Sequence, residues 1–123
     1  MITKKIIIGE LRDVIRNSVP CPMIISTPPG HGVIYTLCAE YGSLSYLNMT
    51  VIDHIDFDIH MKQHIEGKII LDEIHLINPS IKDHLIHFLS NAYFRQPIAI
   101  CSDIQKVPQD ILTCFKFHIK IDK

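Results

Sequence analysis

Apolar residues in this chain fall into runs of strand length, separated by stretches of helical period with turn residues between them. That alternation constrains the fold more than any other feature of the sequence. Residues 10–17 predict a first helix with Leu11, Val14 and Ile15 on one face, closed by Asn17-Ser18-Val19-Pro20-Cys21-Pro22. Met23-Ile24-Ile25-Ser26 is a continuous apolar strand, and Thr27-Pro28-Pro29-Gly30-His31-Gly32 is a tight loop opening a helix that runs to about residue 41. Residues 45–51 alternate as a second strand, and 57–66 predict a short helix capped from Asp56 and ended by Gly67. Lys68-Ile69-Ile70-Leu71-Asp72-Glu73 lacks alternation, as a central parallel strand buried on both faces does. The next helix has the strongest signals: Asn78 as N-cap, Pro79 at the first helical position, then Ile81, Leu85, Phe88 and Leu89 at helical spacing. Residues 97–101 form a fourth strand, 108–115 one or two helical turns, and 117–121 a fifth strand. Strands alternating with helices predict an α/β fold with a parallel sheet.

At 123 residues, with no internal repeat, low-complexity tract or linker composition, the chain reads as a single domain spanning 1–123 that can bury a core without disulfides. Twelve Lys+Arg against 13 Asp+Glu give a net charge of −1, and the pI is near 6.7. That balance argues against a dominant electrostatic grip on nucleic acid, leaving only a local patch from Lys62, Lys68, Lys82, Arg95 and Lys106. The apolar runs fall far short of the roughly 18 residues of a transmembrane helix. The N-terminal run is too short for a secretory segment. The chain is therefore expected to be cytoplasmic, without membrane contact. Cys21, Cys38, Cys101 and Cys114 form no Cys-x-x-Cys pair and read as buried free thiols.

A strand, a glycine loop and a helix, followed later by a strand ending in two acids, is the logic of a P-loop nucleotide site. There, loop and helix amides bind phosphates, a loop lysine reaches the outer phosphates, and a hydroxyl with a strand-end acid holds Mg²⁺. The run from Thr27 to Ala39 resembles the Gly-Pro-Pro-Gly-x-Gly-Lys-Thr-x-x-Leu Walker A region of AAA+ ATPases. Ile69-Ile70-Leu71-Asp72-Glu73-Ile74-His75-Leu76 resembles their Walker B strand, in the form found in Holliday-junction branch-migration motors and clamp-loader relatives. Ile7-Ile8-Gly9-Glu10-Leu11-Arg12 is similar to the box that lines the adenine pocket, Ile98-Ala99-Ile100-Cys101-Ser102 to the sensor-1 strand, and Ile111-Leu112-Thr113-Cys114-Phe115 to the segment carrying the arginine finger. The resemblance implies a three-layer α-β-α core with a five-stranded parallel sheet in the order 5-1-4-3-2. It implies nucleotide contacts at Ile8, Gly9, Pro29, Gly30, His31, Gly32, Val33, Ile34 and Ser102, and catalytic acids at Asp72 and Glu73.

The sequence departs from that family at the working residues. Val33 stands at the Walker lysine, Ile34 at the Mg²⁺-binding hydroxyl and Cys114 at the arginine finger, and the sequence stops before a helical lid. Catalysis of this kind is positioning plus electrostatic stabilisation, and the cations that provide both are missing. The sequence thus predicts a catalytically inactive AAA+-like subunit or adaptor, needing no cofactor. Its expected partner is a protein, a functional AAA+ motor or a further copy of itself, in a replication or recombination assembly. Two alternatives remain open: a weak ATP-binding domain that would take ATP and Mg²⁺, and a nucleic-acid-binding accessory module. Gly30 and Gly32 fit either a phosphate cradle or strain relief in the turn. His31 fits an exposed loop histidine, and the resemblance makes His75 structural. His60 with His64 and His84 with His87 have helical spacing, near Asp53, His54, Asp56 and Asp58, but no ligand pattern that specifies zinc or calcium.

Overall fold

A computed structural model describes residues 1–17, 22–41, 44–63, 68–90 and 97–122. Six strands, β1 (Ile2–Ile6), β2 (Met23–Ser26), β3 (Leu44–Asn48), β4 (Lys68–Asp72), β5 (Pro97–Cys101) and β6 (Phe117–Ile121), form one sheet in the order β1-β6-β2-β5-β4-β3. Every pairing is parallel. From β6 to β3 this is the expected five-strand order. β1 is a sixth strand added at the edge, which corrects the five-strand expectation. Its sequence, Ile-Thr-Lys-Lys-Ile, buries only Ile6, so its polar pattern carries no core signal. Backbone pairing makes the strand: Lys4 lies beside Ile119 and Lys5 beside Lys120, and such lysines suit an edge that must not recruit further strands.

β2 and β5 are buried along their whole length because helices cover both faces. On one face Met23, Ile25, Ile70, Ile98, Ile100 and Ile119 pack with α1 (Leu11–Arg16) and α2 (Val33–Glu40). On the other, Ile24, Ile69, Leu71, Ala99 and Cys101 pack with α3 (His54–Gln63), α4 (Lys82–Ser90) and α5 (Gln109–Leu112). This is the three-layer arrangement, and no helical lid stands among the described residues, which end at Asp122 directly after β6. Polar ties hold neighbouring helices together. Glu40 takes both Arg12, at 3.1 Å, and Arg16, joining α2 to α1, and Lys82 meets Asp110 at 2.8 Å, joining α4 to α5. Phe57 and Phe88 meet edge to face at 6.2 Å, joining α3 to α4.

Local expectations hold at some ends and move at others. Asn78 caps as expected, its side chain accepting the Ser80 N–H at 3.1 Å, with a 3₁₀ turn Pro79–Ile81 leading into α4. The helix expected from residue 57 begins at His54, capped by Asp53 rather than Asp56: Asp53 accepts the Asp56 N–H at 2.8 Å. Its expected end at Glu66 and Gly67, like the turn at residues 18–21, lies outside the described residues. β3 stops at Asn48 instead of residue 51, because the Asn48 side chain accepts both the N–H and the hydroxyl of Thr50 and turns the chain.

Candidate functional site

The C-terminal ends of β2, β4 and β5 open into a cavity of about 340 Å³ lined by residues 27–34 together with Asp72, Glu73, His75, Ile100, Cys101 and Ser102. A crevice outside the carboxyl ends of parallel strands is where open α/β sheets place their ligands. The loop is tied down at its start, where the Thr27 N–H donates to the Cys101 carbonyl at 3.0 Å. Gly30 has φ of +80° and Gly32 of +76°, and a Cβ at either would meet nothing within 4 Å. Their role is therefore conformational: only glycine takes the left-handed region freely. Gly32 then starts α2, whose Thr36 N–H and hydroxyl both donate to the Gly32 carbonyl at 2.9 and 3.0 Å. The first-turn amides of α2 have no intrahelical acceptor and open toward the cavity end of the helix.

Two apolar side chains of the same turn pack against the core. Val33 is 3% exposed and packs in the core with Leu37 one helical turn on, and Ile34 packs against the same cluster. Among the described lining residues there are two carboxylates and two histidines, with no lysine or arginine.

The acid wall is bonded within itself. Asp72 accepts the Glu73 N–H on Oδ1 at 2.9 Å, and its Oδ2 accepts the phenol of Tyr46 from β3. That charged acceptor, ahead of burial and the charges of Asp72 and Glu73, pushes the Tyr46 phenol up to about 12. Glu73 has φ of +59°, the one non-glycine residue with positive φ among those described, and opens a 3₁₀ turn, Ile74–Leu76. Such a conformation persists only where the surroundings over-determine it. His75 Nε2 lies 3.0 Å from Ser102 Oγ, linking the turn after β4 to the residue that follows β5, both of which line the cavity.

Pro29, Gly30, His31, Gly32, Val33, Ile34, Asp72, Glu73 and Ser102 line this cavity, and Ile8 and Gly9 are not among its lining residues. Those two lie in a 3₁₀ turn before α1, with Ile8 packed against the α1–α2 side of the core. Sequence reasoning missed Tyr46. Its signal is available once β3 and β4 are neighbours, because a tyrosine in the one lies diagonal to the terminal acid of the other. Cys114 follows α5, its Sγ 3.5 Å from the Asp110 carbonyl, and burial pushes its thiol up. Burial also pushes Cys101 up to about 12. The expectation of uniformly buried thiols is corrected at Cys38, which is exposed on the outer face of α2, and at Cys114, which is half-buried; Cys21 lies outside the described residues.

Elsewhere the histidines and acids at helical spacing are placed as follows. His84 Nδ1 sits 3.4 Å from Asp58 Oδ1, His64 lies outside the described residues, and no group of three or more His, Cys, Asp or Glu is placed to hold a metal among those described. Of the lysines considered for a basic patch, Lys82 is paired with Asp110 and Lys106 is exposed. Arg95 and the side chains of Lys62 and Lys68 lie outside the described portion. No helix among the described residues is long and apolar enough to cross a membrane.

The sheet order, the glycine loop entering α2 and the acid-terminated β4 define the fold as a P-loop NTPase core of the AAA+ type. No protein-family model matches the sequence, and no curated protein matches it. Among solved structures it is similar to the Thermotoga maritima RuvB Holliday junction branch migration motor, with TM-score 0.69 and 13% identity over 93% of this chain and 44% of that one. A RuvB point mutant gives TM-score 0.73 at 13% identity, over 93% of this chain and 43% of that one. A DNA polymerase III gamma subunit-related protein of the same organism gives 0.66 at 7% identity, over 94% and 45%. The chain spans less than half the length of each.

Proposed function

We propose that this chain is a non-catalytic AAA+-like domain that works through protein contacts, as a subunit, adaptor or regulator of a DNA replication or recombination assembly. The observation that carries the reading is the cavity itself, which has two carboxylates and no lysine or arginine among its described lining residues, while Val33 is spent on the core. Its residues do not fit a magnesium–nucleoside triphosphate complex. A polyphosphate entering there meets Asp72 and Glu73 without a compensating cation, Ile34 brings no hydroxyl, and the Asp72 carboxylate already accepts two hydrogen bonds. The assembly context rests on likeness to the two DNA-related proteins above. Exposed Ile7, Tyr35, Val51, Ile55 and Leu76 supply apolar area for a partner.

A second reading, weak nucleotide binding, is favoured by Gly30 and Gly32, whose left-handed backbone builds a turn that can present amides to an anion. Calorimetric and thermal-shift titration with ATP and ADP, with and without Mg²⁺, separates the two. The natural chain is expected to give no saturable heat and no shift, and the Val33→Lys/Ile34→Thr variant to regain binding. Binding by the natural chain would make it a nucleotide sensor; at a hundredfold excess over Kd a ligand would add about 2.7 kcal/mol of stability.

A further inference from the structure

Asp72 is the last residue of β4, and its partner across the sheet belongs to the edge. β3 pairs only with β4 among the described strands, with Asn48 beside Asp72 and Tyr46 beside Ile70. Tyr46 and Asp72 therefore share a sheet face, one pleat apart along the strand direction, a diagonal that a phenol spans. The Tyr46 hydroxyl reaches back and donates to Asp72 Oδ2, while Oδ1 of the same carboxylate takes the Glu73 N–H. Both oxygens of the acid facing the cavity are thus engaged by groups of the chain itself.

We infer that Tyr46 is a positioning residue that turns Asp72 from a cavity-facing acid into a clamp between the edge strand β3 and β4. This makes a third lesion in the nucleotide site, independent of Val33 and Ile34. The inference rests on the reading of the cavity as nucleotide-incompetent, but it concerns a different wall. The loop lost its cation and hydroxyl by substitution, whereas the acid survives in sequence and is withdrawn by a neighbour. A phenol proton on a carboxylate oxygen occupies one of its lone pairs and damps the charge that a hard divalent cation demands of its oxygen ligands. At the same time it pins the strand whose outer edge has no partner among the described residues.

Two measurements test this. In the otherwise natural chain, thermal unfolding of Tyr46→Phe, Asp72→Ala and the double variant forms a cycle. Each single change is expected to lower Tm, and the double no further than the worse single; additive losses would overturn the inference. In the Val33→Lys/Ile34→Thr background, adding Tyr46→Phe is expected to tighten ATP binding in Mg²⁺ by about tenfold, roughly what one hydrogen bond to a charged group is worth, and to leave ATP binding in EDTA unchanged. Equal gain with and without Mg²⁺, or no gain, would overturn it. Binding of ATP by the natural chain would overturn the proposed function and the lesion together, whereas the cycle, which uses no nucleotide, decides the clamp by itself.

Discussion

Single residues in the loop carry two separate demands, one of the backbone and one of the core. Gly32 must sit at φ of +76°, where an L side chain costs about 1–2 kcal/mol, although a Cβ there would touch nothing. Gly32→Ala is therefore expected to lower Tm by roughly 3–10 °C in thermal unfolding, on the usual scaling for a domain of this size. Gly9 has no positive φ and equally open surroundings, so Gly9→Ala should leave Tm essentially where it is. Val33, one residue on, answers to packing alone. That is why its identity at the lysine position could be read as a loss of chemistry in the sequence, while its burial at 3% had to come from the fold. Asp72 and Glu73 were equally visible as an acid pair, but nothing local reveals that a tyrosine 26 residues upstream holds one of them.

Elements were legible in proportion to how much of their stability is local. The start of the helix after β4 is written out in Asn78 and Pro79, and Asn78→Ala is expected to cost about 1 kcal/mol by leaving the Ser80 N–H without its acceptor, measurable as a lowered denaturation midpoint at unchanged slope. The central strands were legible because burial on both faces leaves uninterrupted apolar runs. β1 was not, because an edge strand with Thr3, Lys4 and Lys5 exposed is held by its backbone ladder to β6, and a ladder leaves no mark in side-chain pattern. The start of α3 moved for a related reason: Asp53 and Asp56 both suit a cap, and the turn after β3 chooses the earlier one.

At the scale of the molecule, a polar line runs from the buried Ser26 and His118 out to the exposed Thr3 and joins distant parts of the chain. His118 on β6 lies 2.6 Å through Nε2 from Ser26 Oγ on β2 and 3.4 Å through Nδ1 from Thr3 Oγ1 on β1. Burial, then the charge of Lys120, lowers the His118 pKa from its ordinary value, so the folded state takes up a proton less readily than the unfolded chain. The sign follows: the contribution of this residue is fully present above about pH 6.5 and is lost as the pH falls from there through the folded pKa. Urea midpoints measured from pH 8 to 5 should be flat at first and then fall below about 6.5, and His118→Gln should flatten that fall. Glu40 and Asp110, whose arginine and lysine partners hold them low, lose their contributions in more acidic solution, as the pH falls from the ordinary carboxylate range through their lowered values.

By itself the sequence determined the alternation of strands and helices, the glycine turn, the order of five of the six strands by resemblance, and the presence of Val33, Ile34 and Cys114 at the positions the resemblance compares with Lys, Thr and Arg. These are properties of local composition, turn geometry and burial on both faces, and each is written within a few consecutive residues. Tertiary structure alone decided that β1 completes the sheet, that Ser102 pairs with His75 and that Tyr46 takes Asp72. Those are contacts between residues far apart in the chain. Side-chain hydrogen bonds of that kind depend on strand adjacency and register, which the fold supplies only once the core has assembled.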